Sequence, residues 1–197
     1  MNWRPRQPPS LRELIAYLVG RSVERGATLN RTKLIKLLYL VDVESVQAAG
    51  RPFTSLRWVF FHYGPYAFEL IEELEAMEGS EVAVRPYHES VLYVAAPGAP
   101  DPTWWPAVLA PRFNRIVDRW AGEELNPLLD YVYFHTEPMR DAVRGEPLDM
   151  QLAAKRSTLA ARGPASARRC RRPAGSLARE HQSALCSGAN PPAGGHC

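Results

Sequence analysis

Residues 29–53 read LNRTKLIKLLYLVDVESVQAAGRPF, and this stretch decides the fold. Asn30 is a good helix N-cap and Gly50 a natural stop, so the spacing predicts a helix from there through about Ala49. Leu34, Leu37, Leu38 and Val41 follow the i, i+3, i+4, i+7 pattern, while Ile35, Tyr39, Leu40 and Val43 cover much of the opposite side. A helix that is apolar nearly all round belongs at the centre of a domain, with neighbours on several faces. On this reading Arg31, Lys33, Lys36, Glu44 and Gln47 face solvent. Asp42 interrupts the apolar surface as a lone carboxylate, and if it points inward it needs a hydrogen bond or a cation.

Upstream, Ser10 with Glu13 three residues on forms a capping box. It opens a helix that places Leu11, Leu14, Ile15, Leu18 and Val19 on one face and stops at Gly26. Downstream, RPFTSLRWVFFHY carries β-branched and aromatic residues without helical spacing and leads into GPYAFELIEELEAMEG. Pro65 suits the first position of a third helix, and Gly64 before it can take backbone angles closed to other residues. That helix is expected to show an apolar edge with Phe68, Ile71 and Met77 and an acidic edge with Glu72 and Glu75, ending at Gly79. EVAVRPY and SVLYVAA read as a two-stranded hairpin flanking His88-Glu89, and PGAPDPTWWP as a loop. A fourth helix from about Ala107 to Trp120 turns Val108, Leu109, Phe113, Ile116, Val117 and Trp120 inward. NPLLDYVYF and EPMRDAVRG complete the body, with Thr136 as the cap of the last turn. The fold class is α+β and predominantly α-helical: a compact helical domain over residues 1–154 with a small antiparallel β-hairpin.

Residues 155–197 form a low-complexity basic tail expected to be disordered, since Arg, Ala, Gly, Ser and Pro offer little apolar surface to offset the entropy of ordering. An alternative is extended or shifted-frame coding sequence. The overall charge of +3 hides a division: residues 1–150 hold 16 Lys/Arg against 20 Asp/Glu, a net −4, and residues 151–197 hold 8 against 1, a net +7. All three cysteines lie in the tail, so no disulfide framework or thiol nucleophile supports the body. Cys170, His181, Cys186, His196 and Cys197 lack the paired spacing of a tetrahedral zinc site, so no metal is expected. No apolar run reaches the roughly 18 residues of a membrane span, and MNWRPRQPPS lacks the apolar stretch of a secretory signal, which points to the cytoplasm.

No P-loop, GxGxxG, HExxH or GxSxG is present, which argues against an enzyme. His62, His88 and His135 are candidate bases and Asp42, Asp130 and Glu137 candidate orienting groups, but the sequence fixes no distance between them. The order of helices and hairpin also suits a winged-helix DNA binder with Arg31, Lys33 and Lys36 on phosphates. An acidic body supplies little of the counterion release on which duplex binding depends, so nucleic acid is the less favoured partner.

TKLIKLLYLVDVESVQAAGRPF, WVFFHYGPYAFELIEEL and YVYFHTEPMRDAVRGEPL, in that order, resemble the Panacea antitoxin domain, the SocA-like group also known from phage-associated proteins. The family pattern K-L-x-K-L-L-Y-x-x-D, then G-x-P, then an aromatic stretch ending in Gly-Pro, then Thr-x-x-M, falls on Lys33, Leu34, Lys36, Leu37, Leu38, Tyr39, Asp42, Gly50, Gly64, Pro65 and Thr136. Phe53 after Gly50-Arg51-Pro52 and Tyr66 after Gly64-Pro65 depart from it, and the tail matches nothing in it. The resemblance implies an antitoxin of a two-gene system that neutralises its cognate toxin by direct binding, or delivers it to a protease. It implies phage defence as a setting and no cofactor. Arg31, Arg57, Tyr66 and Arg140 are the exposed residues expected to contact the toxin.

Overall fold

In a computed structural model, residues 9–87, 90–96 and 110–154 are described. Their elements, in chain order, are α1 (Leu11–Glu24), β1 (Leu29–Asn30), α2 (Arg31–Ala49), β2 (Val59–Phe61), β3 (Gly64–Tyr66), α3 (Phe68–Met77), β4 (Val82–Tyr87), β5 (Ser90–Ala95), α4 (Ala110–Trp120), α5 (Leu125–His135) and α6 (Glu137–Arg140). The domain is α+β and mainly helical. The expected tail, the PGAPDPTWWP loop, His88-Glu89 and the start of the fourth helix at residues 107–109 lie outside the described residues.

Local chemistry sets the first two helices where the sequence places them. The Ser10 side chain accepts from the Glu13 N–H while Glu13 reaches back to the Ser10 N–H, closing the capping box of α1. The Asn30 side chain accepts from the Lys33 N–H at 2.8 Å, and Gly50, left-handed at φ 72°, ends α2 with its N–H on the Val46 carbonyl. Along α2 the apolar side chains are buried on every side, with α1, α4, α5, β1, β3 and β5 packed around it. Leu34, Leu37, Leu38 and Tyr39 are fully enclosed, each aliphatic one contributing roughly 1.5–3 kcal/mol of burial.

Two sheets flank this axis. The hairpin β4–β5 pairs Val82 with Ala95 through Tyr87 with Ser90, as expected, but the sheet has a third strand: Leu29 and Asn30 pair with Tyr93 and Leu92. A strand of two residues has no alternation to read, so its existence depends on the partner alone. Asn30 therefore ends a strand and caps a helix at once.

The second sheet corrects the expected start of the third helix. Pro65 is in β3, opposite Phe60, and α3 begins only at Phe68 after an extended Ala67. His62 and Tyr63 form the two-residue turn of this hairpin, and Gly64 has φ 93° directly after it. Phe60 turns its backbone the other way, donating to the Glu146 carbonyl and accepting from the Gly145 N–H. Pro65 thus occupies a position where a missing N–H costs no ladder bond. The buried side of α3 is the expected one in part: Met77 is fully buried and Ile71 packs against the core, with Leu70 and Leu74 joining them, whereas Phe68 is 53% exposed. In α4, Phe113, Ile116, Val117 and Trp120 point inward as expected.

Candidate functional site

Four polar residues of α2 recur at every third position: Lys33, Lys36, Tyr39 and Asp42. Three residues turn a helix by about 60° short of a full circle, so their tips fan over roughly half its circumference and each meets a different neighbour. Lys33 Nζ donates to the carbonyls of Ala121 and Glu123 at 3.0 and 2.6 Å, just beyond α4, where carbonyls lack helical partners. Lys36 Nζ donates to the Pro65 carbonyl at 2.8 Å, tying α2 to β3. Thr136 gives its one hydroxyl proton to the Val132 carbonyl at 2.6 Å, so the Tyr39 hydroxyl donates to Thr136 Oγ1 at 2.9 Å and fastens α2 to the α5–α6 junction.

Asp42 closes the series and is fully buried. Its Oδ1 accepts from the Thr54 N–H at 2.7 Å, and its Oδ2 from Thr54 Oγ1 at 2.5 Å and Trp58 Nε1 at 2.8 Å. The Trp58 ring meets the Tyr39 ring edge-on at 5.4 Å, which links these two anchors. Burial pushes the Asp42 carboxyl above its usual range, and the Thr54 and Trp58 donors pull it back. Burial likewise drives the Lys36 amine down to about 7 and raises the Tyr39 hydroxyl.

These contacts correct three expectations. Lys36 is 2% exposed and not solvent-facing. Arg31, Lys33 and Lys36 do not form one solvent-facing row, because Lys36 is buried on the Pro65 carbonyl, half-buried Lys33 donates to the Ala121 and Glu123 carbonyls, and the Arg31 Nε donates to the Tyr93 hydroxyl at 3.2 Å. Thr136 stands at the N-cap of α6 but makes no side-chain capping bond there; its hydroxyl points back to α5. Leu37 and Leu38 lie in the core, and a Cβ on Gly64 would touch the Tyr133 ring at 3.4 Å. Among the described residues, then, the motif is an internal frame.

The surface residues fall into separate groups. Arg57 is 86% exposed at its side chain and pairs with Glu69 of α3 at 2.5 Å. It borders a groove of about 590 Å³ between residues 56–59, α3 and residues 147–150, with Phe68 and Leu56 among its walls. Tyr66 is half-buried in a cluster with Phe61 and Phe68, its ring 5.1 Å from that of Phe68. Arg31 lies within electrostatic reach of Tyr66 and Glu75. Arg140 pairs with Glu137 in its own turn at 3.1 Å. The outward aromatics are Tyr63, Phe68 and Phe134; of these the sequence placed Phe68 on an apolar edge and gave no sign of the other two. Sequence reading also passed over Arg112, Arg115 and Arg119, whose i, i+3, i+7 spacing marks one face of α4. No group of three or more His, Cys, Asp or Glu that could hold a metal occurs among the described residues, and no described helix is long and apolar enough to cross a membrane.

The described residues thus form a frame held by buried polar bonds, with Tyr63, Phe68 and Phe134 on its outside. Residues 34–92, from within α2 into β5, match the family described as antitoxin SocA-like, Panacea domain. Neither the curated proteins nor the solved structures gave a match.

Proposed function

We propose that this chain is the antitoxin of a two-gene toxin–antitoxin system, acting in the cytoplasm by binding its cognate toxin directly, without catalysis or a cofactor. The match of residues 34–92 to the antitoxin domain carries this reading. The surface supports it: Phe68, 53% exposed, lines the groove along α3 together with Arg57, and Tyr63, 69% exposed, stands in the turn of the β2–β3 hairpin. Aromatic and Arg side chains are the residue types on which protein interfaces concentrate their binding energy. The DNA-regulator reading has less support, because one of its three basic residues, Lys36, is buried on the Pro65 carbonyl. Sequestration of the toxin and its delivery to a protease both require this first binding step.

Co-expression with each neighbouring gene product tests the proposal. A toxic neighbour should become tolerated and should co-purify with this chain. If neither neighbour is toxic the reading fails, and if rescue requires promoter DNA with no complex formed, a repressor is the better description.

A further inference from the structure

The groove along α3 leaves apolar surface in contact with solvent. Phe68 and Pro147 in its lining are exposed, and Leu56, Val59 and Met150 are half-buried. The Phe68 ring also meets those of Phe61 and Tyr66, 5.5 and 5.1 Å away between centroids, so the apolar surface continues onto the β2–β3 hairpin. The helical wall is acidic: α3 carries Glu69, Glu72, Glu73 and Glu75 and no basic residue. Two of these carboxylates are engaged, Glu69 by Arg57 and Glu73 by Arg12 at 3.1 Å. Glu72 lines the groove, is exposed and belongs to no ion pair among the described residues. Glu75, three residues further on and also exposed, is likewise outside every such pair, with Arg31 in electrostatic reach. Phe68, Glu72 and Glu75 fall at i, i+4 and i+7, so one stripe of α3, about 10 Å long, presents an uncovered ring followed by two uncompensated carboxylates. Arg57, the one cation in the lining, is matched by Glu69, and the excess charge of the groove is negative.

We propose that this groove receives a basic amphipathic segment of the cognate toxin, with its apolar side chains on Phe68, Leu56, Val59 and Met150 and its Lys or Arg side chains on Glu72 and Glu75. The identity of the partner rests on the antitoxin reading, and its chemistry on the groove. Apolar walls that stay exposed take the apolar face of a partner segment. The carboxylates beside them set the sign of its polar side, because an acidic segment would bring like charges onto Glu72 and Glu75.

The test uses the full chain and two labelled peptides of about 16 residues, roughly four helical turns, with Leu in helical period and either Lys or Glu at the remaining positions. Fluorescence anisotropy should show saturable binding of the Lys peptide and none of the Glu peptide. Glu72→Lys/Glu75→Lys should weaken the Lys peptide at least about tenfold with an unchanged melting temperature, and should let the Glu peptide bind, a gain that misfolding cannot produce. Phe68→Ala should weaken the Lys peptide as well. Equal binding of the two peptides, no binding of the Lys peptide, or indifference to both variants overturns the proposal. With the toxin itself, the double variant should lower affinity by a similar factor. A toxin that is neutralised by the double variant and co-purifies with it as with the wild type overturns the groove assignment and leaves the antitoxin reading standing. Binding of the Lys peptide when neither neighbour is toxic removes the toxin as occupant, and the antitoxin reading with it. Sedimentation showing a dimer that the double variant dissolves assigns the groove to a second copy. A carbodiimide cross-link between Glu72 and Lys155 of one chain, with no peptide bound, assigns it to the chain's own basic residues after Ala154. Either result displaces the toxin segment.

Discussion

Helix α2 and the region from β2 into α3 invert the usual sorting of residues in opposite directions. In α2 the polar groups of Lys36, Tyr39 and Asp42 are inside, each on a definite partner. Around α3 the apolar groups are outside, with Tyr63 and Phe68 in solvent. Both arrangements are unfavourable in isolation. Buried polar groups are tolerated because every one has a bond that fixes the relation of two elements. Exposed aromatics have no such internal compensation, so their purpose lies with whatever covers them. The polar series of α2 therefore describes the frame.

The sharpest way to break this comparison is Asp42→Ala. It strands the Thr54 N–H, the Thr54 hydroxyl and the Trp58 indole N–H in a buried site, at a cost of about 3–5 kcal/mol, much of a small domain's stability. Chemical denaturation followed by circular dichroism should show the loss. Asp42→Asn should recover little, because its NH₂ would face one of the same donors. A melt within 0.5 kcal/mol of wild type, on the order expected for a surface change, would mean that the carboxylate does not hold the frame.

Gly64→Val tests the hairpin that joins the two regions. At φ 93° a β-branched residue is strained by roughly 2–3 kcal/mol, and its Cβ would lie in van der Waals contact with the Tyr133 ring. Unfolding in urea should register the deficit, and Gly64→Ala should be milder. An unchanged midpoint would show that the turn relaxes freely.

Much of α2 was legible because its limits depend on neighbours in sequence: Asn30 and Gly50 act within one turn of the helix they bound. Pro65 was not, because a Gly-Pro pair suits a helix start equally well until Phe60 is seen to bond to Gly145 and Glu146, some 85 residues away. The same non-locality hid Lys36. A lysine within an apolar pattern reads as solvent-facing, and only the Pro65 carbonyl beneath it makes burial tolerable. Asp42 was legible as a carboxylate in need of partners, though not which partners. On the surface, Arg57 and Tyr66 border exposed aromatics, but Phe68 was assigned to the core because hydrophobic period alone does not say which apolar residues a fold leaves uncovered.

The buried amine gives a smaller effect with a definite sign. Lys36 is held near 7 in the folded protein against an ordinary value of 10.5, so between these pH values the unfolded chain binds the additional proton and stability rises with pH. The gain from pH 7 to 8 is on the order of 1 kcal/mol, and Lys33, also lowered by burial, adds in the same direction. Thermal melts at pH 7, 8 and 9 should climb for the wild type and flatten in Lys36→Met. A wild-type melt independent of pH in that interval would place the Lys36 ammonium in contact with water.

Phe68→Ala is expected to have the smallest effect on the fold and separates the two regions most cleanly. The side chain is half exposed, and its ring contacts are with Phe61 and Tyr66 at the rim of the same cluster, so stability should change by no more than about 0.5 kcal/mol. If this face binds the toxin, removal of an aromatic anchor should nevertheless weaken the complex by about 1–2 kcal/mol, roughly five- to thirtyfold in Kd. Calorimetric titration of the purified pair gives the affinity, and a melt of the free protein gives the stability. Arg140→Ala removes a charge paired within its own turn and should leave stability nearly unchanged, so a loss of toxin affinity in it would mark a contact there as well. A Phe68→Ala protein that melts like the wild type and binds its toxin as tightly would shift the interface away from the aromatic hairpin. The frame would stand, and the exposed rings would need another partner.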